Sequence, residues 1–532
     1  MPVVVGEPIS LEDVAAVARG ERAELSPAAA RRMRAARAVV EAKVAAAEVV
    51  YGVTTGFGSL ANVHLHPEQA RALQHALLRS HGVAVGPALP PDEVRAMLLL
   101  RAHVLALGHS GVRPLVVERL LALLNAGALP VVPEQGSLGA SGDLAPLAHL
   151  AQPLVGEGEV TLGGERVPAA DALARLGLEP LALEAKEGLA LINGTQGMLA
   201  IGILAAERGR ALAKAADVAA ALSIEAILGT DVAFDERIQR LRPHPGQAAS
   251  ASNLRRLLAG SEIVASHRES EHAVQDAYSL RCAPQVAGAF RDALAFVAGV
   301  LQIEAGSVSD NPLVFPEDED APDPGASPGA DAGADPSGPS GRGEVLSGGN
   351  FHGQPVSVAL DTLAASVVGL ASIAERRLYR LLDPAQNNGL PAFLVEHSGL
   401  NSGFMIVQYT AASLVSECKS LAHPAAVDSI TSSAGQEDHV SMGMIAARHA
   451  RACVANAEAV VAMEALAAAQ GVELRSPLRP APATAAALAA VRRAVPHLDA
   501  DRRLKPDVDA AIELVRSGAL VAAVEAVAGP LD

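Results

Sequence analysis

Apolar residues recur along most of the chain at the spacing of helices rather than of strands. Residues 11–50 are predicted to form two helices, with Ser10 and Ser26 as N-caps, and helical periodicity returns over residues 66–125. Longer helices are predicted near residues 185–229, 273–304, 354–382, 404–422 and 441–470. Several of these exceed the usual helix length of about eleven residues, which indicates a bundle of long helices.

Glycine-rich segments interrupt the helical pattern and predict loops. The clearest are YGVTTGFGSL (51–60), HGVAVGPALPPDE (81–93) and residues 126–143, which end in GSLGASGD. Residues 321–343 contain Pro, Gly, Ala and Asp with almost no apolar bulk. We therefore expect a disordered surface loop there, joining two short strands at 311–315 and 344–348.

The pattern suggests three consecutive regions. Residues 1–200 are a loop-rich N-terminal region, residues 201–475 a central long-helix bundle, and residues 476–532 a C-terminal helical region. A disordered acidic insertion, residues 316–343, interrupts the central region.

Composition supports an all-α fold. The chain has 532 residues, of which 50% are hydrophobic but only 2% aromatic, and it has no Trp. The core must therefore consist of Leu, Val, Ile and Ala, which suits closely packed helices.

Charge and cysteine content exclude several classes of protein. The formal net charge is −17 and no cluster of Lys and Arg occurs, so a nucleic-acid partner is not expected. The three cysteines, Cys282, Cys418 and Cys453, have neither CxxC spacing nor a paired framework. The N-terminus lacks the features of a signal peptide, and no run of about twenty unbroken apolar residues is present. We expect a cytoplasmic protein with no membrane partner.

The segment GSLGASGDLAPLAHL (136–150) has two interpretations. An arbitrary Ala-Ser-Gly is usually only part of a glycine loop that leads into a helix. The alternative is cyclisation, in which the Gly142 amide nitrogen attacks the Ala140 carbonyl with loss of water, and Ser141 then loses its hydroxyl as a second water. The product is a methylidene-imidazolone ring with an electrophilic exocyclic carbon. Glycine suits the third position because its nitrogen is unhindered and its backbone tolerates tight geometry.

Motifs along the whole chain favour the second interpretation. They are YGVTTGFG (51–58), LRSHGVAVG (78–86), the 136–150 segment, EGLALINGTQ (187–196), RPHPGQAASA (242–251), VQDAYSLRCAPQV (274–286), SGGNFHGQPV (347–356), GLPAFL (389–394) and SLAHPAAVDSITSSAGQEDHVSMG (420–443). In this order they resemble the histidine ammonia-lyases of the aromatic amino acid ammonia-lyase family. The resemblance runs from about residue 3 to the C-terminus, and only 316–343 looks like an insertion.

The resemblance implies a fold, a reaction and an assembly. The fold would be the long-helix bundle of the aromatic amino acid lyase or fumarase-like type. The reaction would be the non-oxidative deamination of L-histidine to trans-urocanate and ammonia, the first step of histidine degradation. Its electrophile would be 4-methylidene-imidazol-5-one (MIO) formed from Ala140-Ser141-Gly142, with no external cofactor. The enzyme would be a homotetramer with shared active sites, which would place the 51–58 loop and the region of Phe351 beside a ring from another chain.

The same resemblance assigns roles to polar residues. Tyr51 would transfer protons, and Tyr278 would be a second tyrosine near the ring. Arg281, three residues further along and on the same face of a helix, would bind the substrate carboxylate, a task that suits a guanidinium. Gln275 would add a polar contact.

Four further residues would complete the site. Asn193 would bind the imidazolone oxygen or the substrate carboxylate, and Phe351 would lie next to the ring. His81 would meet the side chain of the substrate. Glu417 would pair with the imidazole N–H and could also act as a base, because its apolar neighbours predict a buried carboxylate that needs a partner.

Three alternatives remain open at this point. A tyrosine or phenylalanine ammonia-lyase, or an aminomutase, would use the same ring, and a catalytically dead helical scaffold would keep only the fold. The chain's sixteen histidines raise the possibility of a metalloenzyme, but the sequence has no HExxH motif and no Cys/His cluster with ligand spacing, so we expect no metal.

Overall fold

The computed structural model describes residues 2–56, 66–269, 274–317 and 340–532. The last four residues of the loop predicted at 51–60, and most of the insertion predicted at 316–343, lie outside the described residues.

The described part of the chain is predominantly helical. Its α-helices are α1 Leu11–Ala18, α2 Pro27–Ala45, α3 Pro67–His81, α4 Pro91–Ala106, α5 Pro114–Ala126, α6 Leu144–Ala151, α7 Ala169–Arg175, α8 Glu187–Ile192, α9 Gln196–Ala226, α10 Glu236–Arg240, α11 Pro245–Leu258, α12 Glu262–Ala265, α13 Tyr278–Arg281, α14 Ala283–Ala305, α15 Gln354–Leu382, α16 Met405–Leu421, α17 Gly443–Glu473, α18 Pro482–Ala494, α19 Lys505–Arg516 and α20 Ala519–Ala528. The predicted all-α fold and its long helices are confirmed, since α9, α14, α15 and α17 each exceed twenty residues.

The strands are short and form small sheets. They are β1 Val3–Val5, β2 Ala23–Leu25, β3 Val85–Ala88, β4 Leu129–Pro130, β5 Pro133–Gln135, β6 Glu159–Leu162, β7 Glu165–Pro168, β8 Leu313–Pro316 and β9 Gly343–Leu346. β1 pairs with β2 in parallel, whereas β3–β5, β4–β6–β7 and β8–β9 are antiparallel. The two strands predicted around the insertion are therefore confirmed, and Leu313 pairs with Leu346.

The first two helices begin where the sequence predicts. The Ser10 hydroxyl accepts the Asp13 N–H at 3.1 Å, and the Asp13 carboxylate accepts the Ser10 N–H at 2.8 Å, which makes a reciprocal capping box. The Ser26 hydroxyl accepts the Ala29 N–H at 3.3 Å, one residue before the proline that opens α2. Both caps satisfy backbone donors that a helix cannot pair internally.

The chain divides into two compact units, each built from segments that are distant in sequence. The first unit comprises Met1–Leu204, Ala298–Leu360 and Pro424–Arg448, and the second comprises Ala205–Val297, Asp361–His423 and His449–Asp532. The three consecutive regions suggested by the sequence stay a prediction.

Inside the second unit, a buried polar group links three helices. The Arg377 guanidinium of α15 pairs with the Glu464 carboxylate of α17 at 2.5 and 2.9 Å, and the Ser223 hydroxyl of α9 donates to the same carboxylate at 2.7 Å. All three residues are buried. A buried charge needs such partners, so these contacts fix the register in which the alanine-rich helix faces pack.

Among the helices of the described residues, three are apolar and long enough to cross a membrane by length and composition: α14, α15 and α17. No unbroken apolar run of about twenty residues was expected from the sequence, and these helices reach a high mean hydropathy without one, because Ala and Val raise the mean of a window even where isolated charges interrupt it. In α17, 83% of the most apolar window is buried inside the protein, whereas in α14 only 33% is.

Candidate active site

The Ala140-Ser141-Gly142 segment lies in a compressed turn. Ser141 has φ +52° and Gly142 has φ +81°, and Gly139 forms a bridge back to Gly142. A serine at positive φ is strained, since its Cβ crowds the backbone. A Cβ on Gly142 would lie only 2.0 Å from the Gly194 carbonyl oxygen, so only glycine fits there.

The buried carboxylate of Asp143, the residue that follows the turn, helps to hold the turn in place. It is fully buried and accepts hydrogen bonds from the Ser137 hydroxyl at 2.9 Å and from the Met198 N–H at 2.7 Å. The Asp143 N–H donates to the Gly194 carbonyl at 2.7 Å. Burial raises the pKa of Asp143 to about 6, and these hydrogen bonds offset part of that shift.

Two other segments pack against the turn. The Gly194 N–H donates to the Ser141 carbonyl at 3.3 Å, and the Met442 N–H donates to the Leu138 carbonyl at 2.9 Å. The Ser357 hydroxyl in turn holds the Ser441 carbonyl at 2.7 Å. The loop before α9 and the loop before α17 therefore fix the turn from two directions.

A cavity of about 460 Å³ opens onto the turn. Five of the residues predicted for the site line it: Tyr51, Ala140, Ser141, Asn193 and Phe351. The rest of the wall is formed by residues that the sequence analysis did not assign, namely Asn311, Ser347, Gly348, His352, Gln436, Glu437, Asp438 and His439. The motifs GGNFHG and QEDHVSMG contain six of these, so the signal was present in the sequence but was not resolved to single residues.

Tyr51 and Phe351 line this cavity together with Ser141 of the same chain, which differs from the expectation that the 51–58 loop and the Phe351 region would lie beside a ring from another subunit. Active sites shared between subunits stay a prediction. Residues 57 and 58 are outside the described residues.

Carboxylates and histidines form the polar side of the cavity. Glu437 accepts a hydrogen bond from the Ser432 hydroxyl at 2.8 Å, and the neighbouring Asp438 is exposed. The His352 and His439 rings stack with their centroids 5.9 Å apart. His352 Nδ1 accepts the Gln354 N–H at 3.3 Å, so its Nε2 carries the proton and donates to the His439 carbonyl at 3.2 Å.

His81 is not among the residues that line the cavity. It ends α3, and its Nδ1 contacts the Leu77 carbonyl at 2.9 Å and the Ser80 hydroxyl at 3.0 Å. These contacts occupy the ring nitrogen nearest to its own helix.

Three predicted residues form a separate cluster in the second unit. The Arg281 guanidinium carbon lies 4.5 Å from the centre of the Tyr278 ring, and its Nε donates to the Asp276 carbonyl at 3.0 Å. The predicted common face of Tyr278 and Arg281 is confirmed. Tyr278 is 71% exposed and Gln275 is also exposed. The cluster therefore presents an arginine, a phenol and an amide at the surface of the chain.

Glu417 also lies in the second unit and is exposed, so the prediction of a buried carboxylate was wrong. The helix α16 buries only the face that carries Val407, Ala411, Val415 and Cys418. Glu417 falls between two of these positions and points away from that face, where its carboxylate accepts a hydrogen bond from the Asn456 amide at 3.3 Å. Of its apolar neighbours, Val415 and Cys418 lie on the buried face, whereas Leu414 and Leu421, three and four residues away on the side of Glu417, are only half-buried.

Within the described residues, no group of three or more His, Cys, Asp or Glu side chains could hold a metal ion. A strained Ala-Ser-Gly turn at the wall of a polar cavity, carried by long helices, is the arrangement that the resemblance implied for a carbon–nitrogen lyase.

Comparison with known proteins identifies the family. The family model for aromatic amino acid lyase matches residues 9–493. The histidine ammonia-lyase of Sorangium cellulosum (strain So ce56) is 54% identical to this chain over 534 residues. The alignment covers 100% of both proteins. The crystal structure of histidine ammonia-lyase from Trypanosoma cruzi is similar at a TM-score of 0.87 with 42% identity, over 99% of this chain and 95% of that one. A crystal structure of tyrosine aminomutase from Streptomyces globisporus is similar at a TM-score of 0.88 with 38% sequence identity, over 99% of each chain.

The chain belongs to the aromatic amino acid lyase family. It is an enzyme, a carbon–nitrogen lyase, and the predictions of the family, the fold and the class of reaction are confirmed.

Proposed function

We propose that this enzyme is a histidine ammonia-lyase, which converts L-histidine into trans-urocanate and ammonia. The proposal depends on one observation: the strained Ala140-Ser141-Gly142 turn opens into a cavity that also contains Tyr51, Asn193 and Glu437. The identity of 54% to a full-length histidine ammonia-lyase supports the choice of substrate.

The residues of the turn fit a ring formed from the chain itself. The two successive positive φ angles bring the backbone into a tight turn, and Gly142 leaves no side chain in the path of its own nitrogen. The amide oxygen of Asn193 has no hydrogen-bond partner among the described residues although this residue is nearly fully buried. Such an acceptor is available for a ligand. The MIO group would supply an electrophilic carbon that turns the amine of the substrate into a better leaving group.

Side chains of the cavity then serve binding and proton transfer. Tyr51 is positioned at the wall to exchange a proton with the substrate, and Phe351 packs against the space beside Ser141. The side-chain NH2 group of Asn193 would donate to the ring oxygen or the substrate carboxylate, and its free amide oxygen would accept a hydrogen bond from a donor group of the substrate.

We assign recognition of the imidazole to Glu437 rather than to Glu417. Glu437 lines the cavity and its carboxylate is held by the Ser432 hydroxyl, so it can accept the N–H of an imidazole without first losing its orientation. Glu417 is an exposed residue of α16 and does not line the cavity.

Tyr278, Arg281 and Gln275 complete the proposal as the group that binds the substrate carboxylate. Within a single chain Tyr278 and Gln275 are exposed and Arg281 is half-buried, which fits a surface that another subunit completes. We therefore propose a cytoplasmic homotetramer in which each site combines the cavity of one chain with this cluster from a neighbour.

The test is to offer histidine, tyrosine and phenylalanine to the purified enzyme side by side. We expect ammonia and a new ultraviolet-absorbing acrylate from histidine, and intact-protein mass lower than the sequence mass by two waters. Release of coumarate or cinnamate instead, or formation of a β-amino acid, would assign the chain to a tyrosine or phenylalanine lyase or to an aminomutase. An unreduced mass and no activity on any of them would indicate a dead scaffold.

A further inference from the structure

A fully buried arginine stands behind the wall of the active site. Arg101 of α4 is 0% exposed, and its Nη1 donates to the Asn193 carbonyl at 2.8 Å and to the Gln196 side-chain oxygen at 2.7 Å. Its Nε and Nη2 have no hydrogen-bond partner among the described residues. Burying a guanidinium with two unpaired N–H groups costs desolvation free energy, so its presence here needs an explanation.

The charge of Arg101 is directed at neutral oxygens rather than at a carboxylate. The acid that attracts it, Asp310, is already held by Lys186 at 2.8 Å in a fully buried pair. Desolvation lowers the pKa of Arg101 to about 10, and the attraction of Asp310 offsets only part of that shift, so the guanidinium stays charged at neutral pH.

One peptide group connects this charge to the strained turn. The carbonyl of Asn193 accepts from Arg101, and the N–H of the same peptide, on Gly194, donates to the Ser141 carbonyl at 3.3 Å. A cation bound to the oxygen of an amide withdraws electrons from its nitrogen, which makes the N–H a stronger donor. Gly194 permits the approach, since a Cβ there would lie 2.7 Å from Arg101 Nη1 and 2.5 Å from the Ser309 carbonyl.

The oxygen at the end of this relay is the one that matters for the proposed chemistry. If Ala140, Ser141 and Gly142 cyclise, the Ser141 carbonyl becomes the carbonyl of the ring, conjugated with the methylidene carbon. A stronger hydrogen bond to that oxygen withdraws electrons from the carbon and raises its electrophilicity.

We propose that Arg101 is a positioning residue that polarises the Asn193–Gly194 peptide and thereby strengthens the hydrogen bond from Gly194 to the Ser141 carbonyl oxygen. This inference rests on the proposed function, and it adds a buried residue that touches neither the substrate nor the turn.

The test compares Arg101→Met with Arg101→Lys and with a matched control, Arg475→Met. Arg475 is a good control because it also donates only to carbonyl groups, those of Ala226, Asn387 and Asn388, and desolvation also lowers its pKa to about 10. Four quantities are measured on the whole enzyme: the midpoint of urea unfolding, the fraction of chains lighter by two waters, the ultraviolet band of the ring against a Ser141→Ala baseline, and kcat and KM.

For Arg101→Met we expect kcat to fall by about tenfold or more with a small change in KM, since a donor to the developing charge is weakened. The ring band should move to shorter wavelength, and the ring-bearing fraction should fall. Arg101→Lys should recover part of each effect. Arg475→Met should lower the unfolding midpoint but leave the ring fraction, the band and kcat unchanged.

The outcomes separate this inference from the proposed function. A wild-type chain without the ring would overturn both. A wild-type chain with the ring, and an Arg101→Met variant with the same ring fraction, band and kcat, would overturn only the role of Arg101. If Arg101→Met does not fold, Arg101→Lys and Arg101→Gln are compared instead, and identical bands in all folded variants would contradict the relay.

Discussion

At the scale of the residue, the strained turn sets the strictest demand on the sequence. Ser141 and Gly142 adopt positive φ angles in succession, and the backbone of Gly194 fills the space where a side chain at 142 would lie. Two different costs therefore apply at Gly142, backbone strain and direct overlap, and they can be measured separately.

We predict that Gly142→Ala destabilises the enzyme and abolishes ring formation. The control is Gly127→Ala, because Gly127 also has positive φ (+66°) but would place its Cβ in open space. The control should lose only about 1–2 kcal/mol, the cost of a left-handed alanine. Gly142→Ala should lose more in urea unfolding and should show the full sequence mass. Equal losses in the two variants would mean that Gly194 moves aside.

The acid that recognises the substrate gives a second prediction. Glu437→Gln should raise KM for histidine by about 10- to 100-fold, the value of a hydrogen bond to a charged group. Glu417→Gln should leave KM unchanged, since Glu417 is exposed and absent from the cavity wall. Steady-state kinetics on both variants decide between the two acids, and a loss confined to Glu417→Gln would restore the assignment made from sequence.

Glu417 and Glu437 show which parts of the site could be predicted from the sequence and which could not. The resemblance to the family assigned Ser141, Tyr51, Asn193 and Phe351, and the structure brings these four to one cavity. Glu417 was chosen because its neighbours in sequence are apolar, but helical periodicity decides which neighbours share a face. The contribution of Glu437 depends on a loop with no regular period, so only the three-dimensional structure could place it.

At the scale of the element, the turn is built into the start of the longest helices. The Asp143 carboxylate accepts the Met198 N–H in the first turn of α9, so it caps a helix other than the one that it precedes. Because Asp143 directly precedes α6, sequence position alone would treat it as a cap for that helix. A cap that acts at a distance leaves no local pattern to detect.

This cap makes a prediction about pH. Because burial raises the Asp143 pKa to about 6 from 3.8, the folded chain binds this proton more tightly than the unfolded chain. The stabilisation from protonated Asp143 is therefore present below pH 4 and is lost as pH rises to about 6. Asp143→Asn, which stays neutral, should gain stability relative to the wild type over that range, by at most about 3 kcal/mol. Urea unfolding at several pH values measures this difference, and a difference independent of pH would contradict it.

Helices were predicted better than strands for a physical reason. Long apolar periods located α15 and α16 to within one or two residues, whereas the strands β1 to β7 were missed. Strands of three or four residues are too short to show alternation, although the Gly-Gly pair at 163–164 is a turn signal that would have suggested the hairpin of β6 and β7.

At the scale of the whole molecule, apolar surface remains uncovered in a single chain. Only 33% of the most apolar window of α14 is buried, and Phe296 and Ile303 of that helix are exposed. Exposed apolar surface of this extent is typical of a subunit interface. It supports the proposed tetramer independently of the exposed cluster of Tyr278 and Arg281.

Complementation between inactive variants tests whether the sites are shared. Tyr51 lines the cavity, and we propose that Arg281 reaches it from a neighbouring subunit. Tyr51→Phe and Arg281→Ala should each be nearly inactive alone. When the two variants are coexpressed with different tags, they should form mixed tetramers. About a quarter of the sites in these tetramers should be intact, because two independent subunits supply each site. Coexpression of Tyr51→Phe with Ser141→Ala is the control, since these two residues line the cavity of one chain and no mixed tetramer can restore them together. Activity of doubly tagged tetramers on histidine is the measurement, and no recovery in the first pair would mean that Arg281 serves the cavity of its own chain.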